Sequence, residues 1–241
     1  MRLPDNLLGE PRLLCKPDGR RALENLSVRE FCSFSPASLT SVAISTAWIG
    51  KRSYEGHWWL SSTRSHIGFT SLTERDLLLV LDFGGVMRAI CREPALFLPA
   101  HGLPTPPVQP WLYVEHSDGT RAVITRSASS EPENTLATAF DGSGVAVIPP
   151  PGVIDSELRI IRWLAGFRFD RFWLDPSQES VLRDACAGGT TIGQLLATCA
   201  PRMDVSPDIV RGNVYSLLWR GAISLRDMAA PLSDCSEVTA A

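Results

Sequence analysis

The sequence predicts an α/β protein in which a unit of strands and helices is followed by a smaller helical unit. Three observations carry this reading. Ser71 stands three residues before Glu74 and opens the apolar run Leu77 to Leu81, as at the start of a capped helix. Ser117-Asp118-Gly119-Thr120 separates two apolar-rich stretches and reads as a hairpin turn. Beyond Pro149-Pro150-Pro151, apolar residues recur at helical spacing, first as Ile154, Leu158, Ile161 and Ala165 and later as Val210, Val214, Leu217 and Leu218.

Taken in order, residues 1–43 hold a turn at Lys16 to Gly19 but no sustained period, and they form an unassigned N-terminal extension. The helix opened by Ser71 should stop at Gly84-Gly85, and a strand should run from Val86 to Cys91. Six prolines between Pro94 and Pro110 predict a rigid surface connection. A loop of Asp118-Gly119-Thr120 would set Tyr113 opposite Thr125 and Trp111 opposite Ser127. The polar segment 127–134 and the three prolines close this unit. A third short helix is expected over Thr190 to Thr198. Gly221 should halt the last helix before an extended stub at Ala222 to Leu225, a winged-helix-like ending. The expected domains are thus 44–150 and 151–241.

Composition narrows the function. With 44% hydrophobic residues in 241, the chain can bury two modest cores. It holds no apolar stretch of the roughly 20 residues needed to span a bilayer, so a cytoplasmic protein without a membrane partner is expected. The six cysteines are scattered without a C-x-x-C pair, which suits reduced thiols better than a zinc cage or a disulfide framework. Only Lys16 and Lys51 are lysines among 23 basic residues, and the net charge is -3. Such a chain lacks the overall field of a DNA-binding protein, so any DNA contact must be local or assisted by a partner.

Several spaced motifs carry a resemblance. The stretch Tyr54 to Leu81, with His66-Ile67-Gly68-Phe69 and Ser71 to Asp76, is similar to the TnsA-like endonuclease subunits of heteromeric transposases. The likeness continues at Leu81-Asp82-Phe83, Glu93-Pro94, Ile161 to Phe167, Leu217 to Ala222 and Pro231-Leu232-Ser233, covering about residues 44 to 236. It implies a restriction-endonuclease-like α/β core, a mixed sheet with flanking helices, followed by a helical, winged-helix-like domain. It also implies an integrase-like transposase subunit and an AAA+ regulator as partners, with DNA as a possible one. The chemistry of such subunits is phosphodiester hydrolysis assisted by Mg2+ or Mn2+.

That chemistry needs carboxylates to fix the ions and a cation near the nucleophile. The resemblance places the helix acid at Glu74, the Pro-Asp step at Pro110-Trp111, the second ligand at Thr125 and the basic residue at Ser127. Three of the four roles are therefore lost, and no metal cofactor is expected. Glu74 has two readings: a surviving ligand, or the N3 residue of a capping box holding the amide of Ser71. Glu115 is the nearest substitute partner for Glu74, although it lies about 13 Å along the strand from Trp111. Asp118 reads as a turn residue and Asp82 as a solvated charge at a helix end. Trp111 would fill the volume that ions and water once held, and the other tryptophans read as core.

The expected function is that of a TnsA-like subunit that has lost DNA cleavage and works by binding proteins in a transposition-type complex. Nine arginines against eleven acids after Pro150 favour a protein-binding C-terminal domain. Two alternatives stand beside it: an active endonuclease with relocated ligands, and a domesticated DNA-binding or regulatory protein.

Overall fold

The computed structural model describes residues 9–42, 54–100, 107–126 and 131–241. The chain is mixed α/β and divides into two compact units, Met1–Ser53 with Met87–Pro150, and Tyr54–Val86 with Pro151–Ala241. The expected domain 44–150 is thereby divided, since its segment Tyr54–Val86 groups with the C-terminal part of the chain.

In the first unit, strand β1 (Arg12–Pro17) alternates half-buried and buried residues and pairs antiparallel with β2 (Glu24–Ser27). Helix α1 (Val28–Ser33) starts at once, because Ser27 and Glu30 form a complete capping box. The short β3 (Leu39–Thr40) meets the end of β1. A second sheet has the order β10-β9-β8-β6, from β6 (Met87–Arg92), β8 (Leu112–His116), β9 (Arg121–Ile124) and β10 (Val145–Ile148). Its first three strands form an antiparallel meander. β10 lies parallel to β9, which requires a crossover, and helix α3 (Glu131–Phe140) supplies it.

The N-terminal extension is part of this core, with Leu13, Cys15 and Phe31 packed among Cys91, Tyr113, Val123, Leu136 and Phe140. Phe31 and Tyr113 are fully buried, each ring stabilising the fold by about 1.5–3 kcal/mol. The proline-rich stretch also departs from expectation. It contains β7 (Ala95–Leu98), which pairs with β1 and buries Ala95 and Phe97 completely. Pro94 and Pro99 flank this strand, where a missing N–H breaks no ladder bond.

The hairpin register differs by two residues from the expected one. Glu115 pairs with Arg121 and Tyr113 with Val123. The cause lies in the turn. His116 and Thr120 close it through an N–H···O bond of 2.9 Å, so the loop is Ser117 to Gly119, with Gly119 at φ +84°. Because the shift is two, each residue keeps its face.

In the second unit, the hairpin of β4 (Gly56–Leu60) and β5 (Ser65–Phe69) leads into helix α2 (Leu72–Asp82). Four more helices follow: α4 (Asp155–Leu164), α5 (Pro176–Cys186), α6 (Ile192–Met203) and α7 (Pro207–Trp219). Asp175, Thr191 and Ser206 cap the last three. A small sheet orders β11 (Thr190–Thr191), β13 (Glu237–Ala240) and β12 (Ile223–Leu225). The core gathers Leu79 of α2 with Leu158, Ile161, Leu182, Leu195, Val214 and Trp219. Helix α2 belongs here through polar joints as well, since Arg162 of α4 grips the buried carboxylate of Asp76 through Nε at 3.3 Å and Nη2 at 2.6 Å. No helix among the described residues is long and apolar enough to cross a membrane.

Candidate functional site

The positions that the resemblance singles out on the sheet of the first unit meet at one sheet end. Arg92 pairs with Leu112 and Leu112 with Ile124, so one further step of the register aligns Glu93, Trp111 and Thr125 on neighbouring strands. Backbone bonds hold that row: the amide of Glu93 donates to the carbonyl of Trp111 at 2.7 Å, and the amide of Trp111 to that of Ile124 at 2.9 Å. Trp111 is 2% exposed and Thr125 4%. The threonine hydroxyl donates to the carbonyl of Ile148 at 3.3 Å, which turns it toward backbone. Ser127 lies outside the described residues.

Glu93, named in the sequence only as part of the Glu93-Pro94 step and given no chemical role there, stands at the same sheet end. It is buried, and its backbone stands in the left-handed region at φ +47°. There it turns the chain from β6 into β7, ahead of Pro94, a conformation that costs on the order of 1 kcal/mol or more for a residue with a Cβ. Its Oε1 accepts a hydrogen bond from Arg126 and forms an ion pair with Arg92 at 3.2 Å. The only sequence signal was the Glu-Pro dipeptide, which marks a turn and predicts no ion cluster.

These side chains do not fit a divalent ion. An indole and a backbone-bonded hydroxyl stand where the resemblance expects ligands, and the one carboxylate of the row is neutralised by two guanidiniums that would repel a cation. No group of three or more His, Cys, Asp or Glu is arranged to hold a metal among the described residues. Glu115, the substitute ligand, is engaged elsewhere. Its Oε2 accepts from Arg121 at 2.9 Å and Ser35 at 3.3 Å, and its Oε1 lies 3.7 Å from Arg88. Asp118 is a turn residue, accepting from the amide and hydroxyl of Thr120, and these bonds hold its carboxyl below the usual range.

In the second unit, Glu74 caps helix α2, but not as the expected box. Ser71 Oγ accepts from the Glu74 amide at 3.1 Å, whereas the Glu74 carboxylate reaches past Ser71 to the amide and hydroxyl of Thr70, at 2.7 and 2.9 Å. A carboxylate in the first turn also meets the positive end of the helix dipole.

Asp82 overturns the reading of a solvated charge. It is completely buried and accepts four hydrogen bonds, from the amides of Ser61 and Ser62 at 2.9 and 3.0 Å and from their hydroxyls at 3.1 and 2.8 Å. Ser61 Oγ accepts in turn from the indole of Trp219 at 2.7 Å. The tryptophans also divide. Trp111 and Trp219 are core, whereas Trp163 and Trp173 are 49% and 38% exposed.

No family model and no characterised protein matches this chain. The chemistry visible in the described residues is therefore the ground for a functional reading: carboxylates neutralised by arginine or bound by hydroxyl and amide donors, and aromatic surface left open on the second unit.

Proposed function

We propose that this chain is a TnsA-like transposase subunit that no longer cleaves DNA and acts by binding proteins in a transposition-type complex. The observation that carries the proposal is the row Glu93, Trp111 and Thr125, where an arginine-neutralised carboxylate, an indole and a hydroxyl stand in place of an ion cage. The order of elements supports the same descent. In the first unit, strands β6, β8 and β9 form a three-stranded meander, and helix α3 carries the chain to the parallel strand β10, an arrangement compatible with a restriction-endonuclease-like sheet. The helices of the second unit, followed by β12 and β13, support a winged-helix-like ending.

The test is co-purification. The full chain, co-expressed with an integrase-like transposase subunit and an AAA+ regulator encoded beside it in its host, should elute with at least one of them from size-exclusion chromatography. Elution of all three as separate species contradicts the proposal.

A further inference from the structure

The hairpin of β4 and β5 buries one of its faces and leaves the other open. Leu60, Ile67 and Phe69 are buried and Trp58 packs on the core of the second unit, so strand alternation turns His57, Trp59, His66 and Gly68 the opposite way. On that outer face the register sets His57 opposite Gly68 and Trp59 opposite His66. The two histidines are therefore diagonal neighbours, with Cα atoms about 7–8 Å apart and Cβ atoms somewhat closer.

Three features suit this diagonal to chelation. Both imidazoles are exposed, and neither makes a hydrogen bond or an ion pair with a described residue. Each ring can thus turn between rotamers toward a shared ligand without giving up a partner. Gly68 occupies the corner opposite His57 and brings no side chain to crowd it. Trp59 occupies the fourth corner, where its ring centroid lies 5.0 Å from that of His66 and forms one wall. With metal–nitrogen bonds of about 2.0–2.1 Å, imidazoles reaching inward from two such positions meet at one ion.

We propose that His57 and His66 form a binding site for a late first-row divalent ion, Cu2+, Ni2+ or Zn2+, held by two imidazole nitrogens with water completing its shell. Imidazole suits these ions, whereas Mg2+ and Ca2+ take oxygen ligands. The site is thus chemically distinct from the nuclease-type cage weighed at the sheet end of the first unit. No third His, Cys, Asp or Glu completes a cluster among the described residues, so the ion keeps positions open to solvent and exchanges readily.

The probe is the metal itself, added to the untagged chain carrying Cys235→Ser, which removes the exposed thiol. One equivalent of Cu2+ should bind, with an electron paramagnetic resonance spectrum that shows two imidazole nitrogens. Tryptophan fluorescence should be quenched on binding, and the quenching should shrink in Trp59→Phe. Affinity should fall about tenfold or more in His57→Ala and in His66→Ala, since either change ends chelation, and stay unchanged in His116→Ala. Ni2+ should bind more weakly than Cu2+, and Mg2+ should not compete. An affinity unchanged in either histidine variant, a spectrum with a single nitrogen, or equal competition by Mg2+ overturns the proposal. Both side chains are exposed, so the variants keep the fold, which circular dichroism checks.

Discussion

The amide of Gly84 donates to the carbonyl of Trp219 at 2.9 Å, and the carbonyl of Gly84 comes within 2.7 Å of where a Cβ on Gly221 would stand. The loops that end α2 and α7 therefore interlock, with both glycines in the left-handed region, at φ +89° and +68°. This joint helps to hold α2 in the second unit.

Gly221→Ala should accordingly destabilise the protein by about 2–4 kcal/mol, combining left-handed strain with a backbone clash. Gly142→Ala is the comparison, because Gly142 has the same φ of +68° but nothing within 4 Å of its Cβ position. Its cost should stay near 1 kcal/mol in urea denaturation. Equal costs for the two variants would refute the interlocked joint.

Asp82→Ala leaves the amides of Ser61 and Ser62 buried without their acceptor. A loss of about 2–4 kcal/mol is expected in chemical denaturation, well above that of a surface aspartate such as Asp118. A loss within 0.5 kcal/mol or so would mean that water reaches this pocket freely.

Asp76 links stability to pH. Burial alone would raise its carboxyl, but Arg162 and Arg75 outweigh burial and hold it below the usual carboxylate range. A carboxyl depressed on folding contributes stability above its unfolded pKa of about 3.9, and that stability is lost as the pH falls through the folded value. Because Arg162 is nearly half exposed, the contribution is about 1 kcal/mol. Denaturation of Asp76→Asn at pH 7 and below pH 4 should show a correspondingly smaller acid-induced loss than the parent chain.

Much of the fold was legible wherever a local rule acts alone. Ser71 capped its helix, Gly84-Gly85 and Gly221 ended theirs, and the spacing of Ile154 to Ala165 and of Val210 to Leu218 marked α4 and α7. Long-range pairing was not legible. β1 and β7 are strands because each completes the other, and neither Cys15 nor Phe97 announces its partner. Helix α3 escaped because its apolar stripe is narrow and polar residues precede it. The hairpin register slipped by two because Asp118 and Gly119 fit either loop equally well in sequence.

At the candidate site, the residue types at Trp111 and Thr125 could be read from the sequence, since an indole and a neutral hydroxyl make poor ligands for a hard cation. The replacement could not be read. Glu93 and Arg126 are distant in sequence, and only the sheet register and a left-handed turn bring their charges together. Asp82 was misread for a similar reason, its serine donors lying some twenty residues upstream.

The central claim is that hydrolysis has been lost, and supercoiled plasmid tests it most directly. The chain, alone and with the proposed transposase and AAA+ partners, should leave the DNA unnicked in Mg2+ and in Mn2+ over hours. Nicking that requires Mg2+ or Mn2+ and disappears in Glu74→Gln would contradict the account, because it would show a working ion site built around the one acid that the resemblance retains.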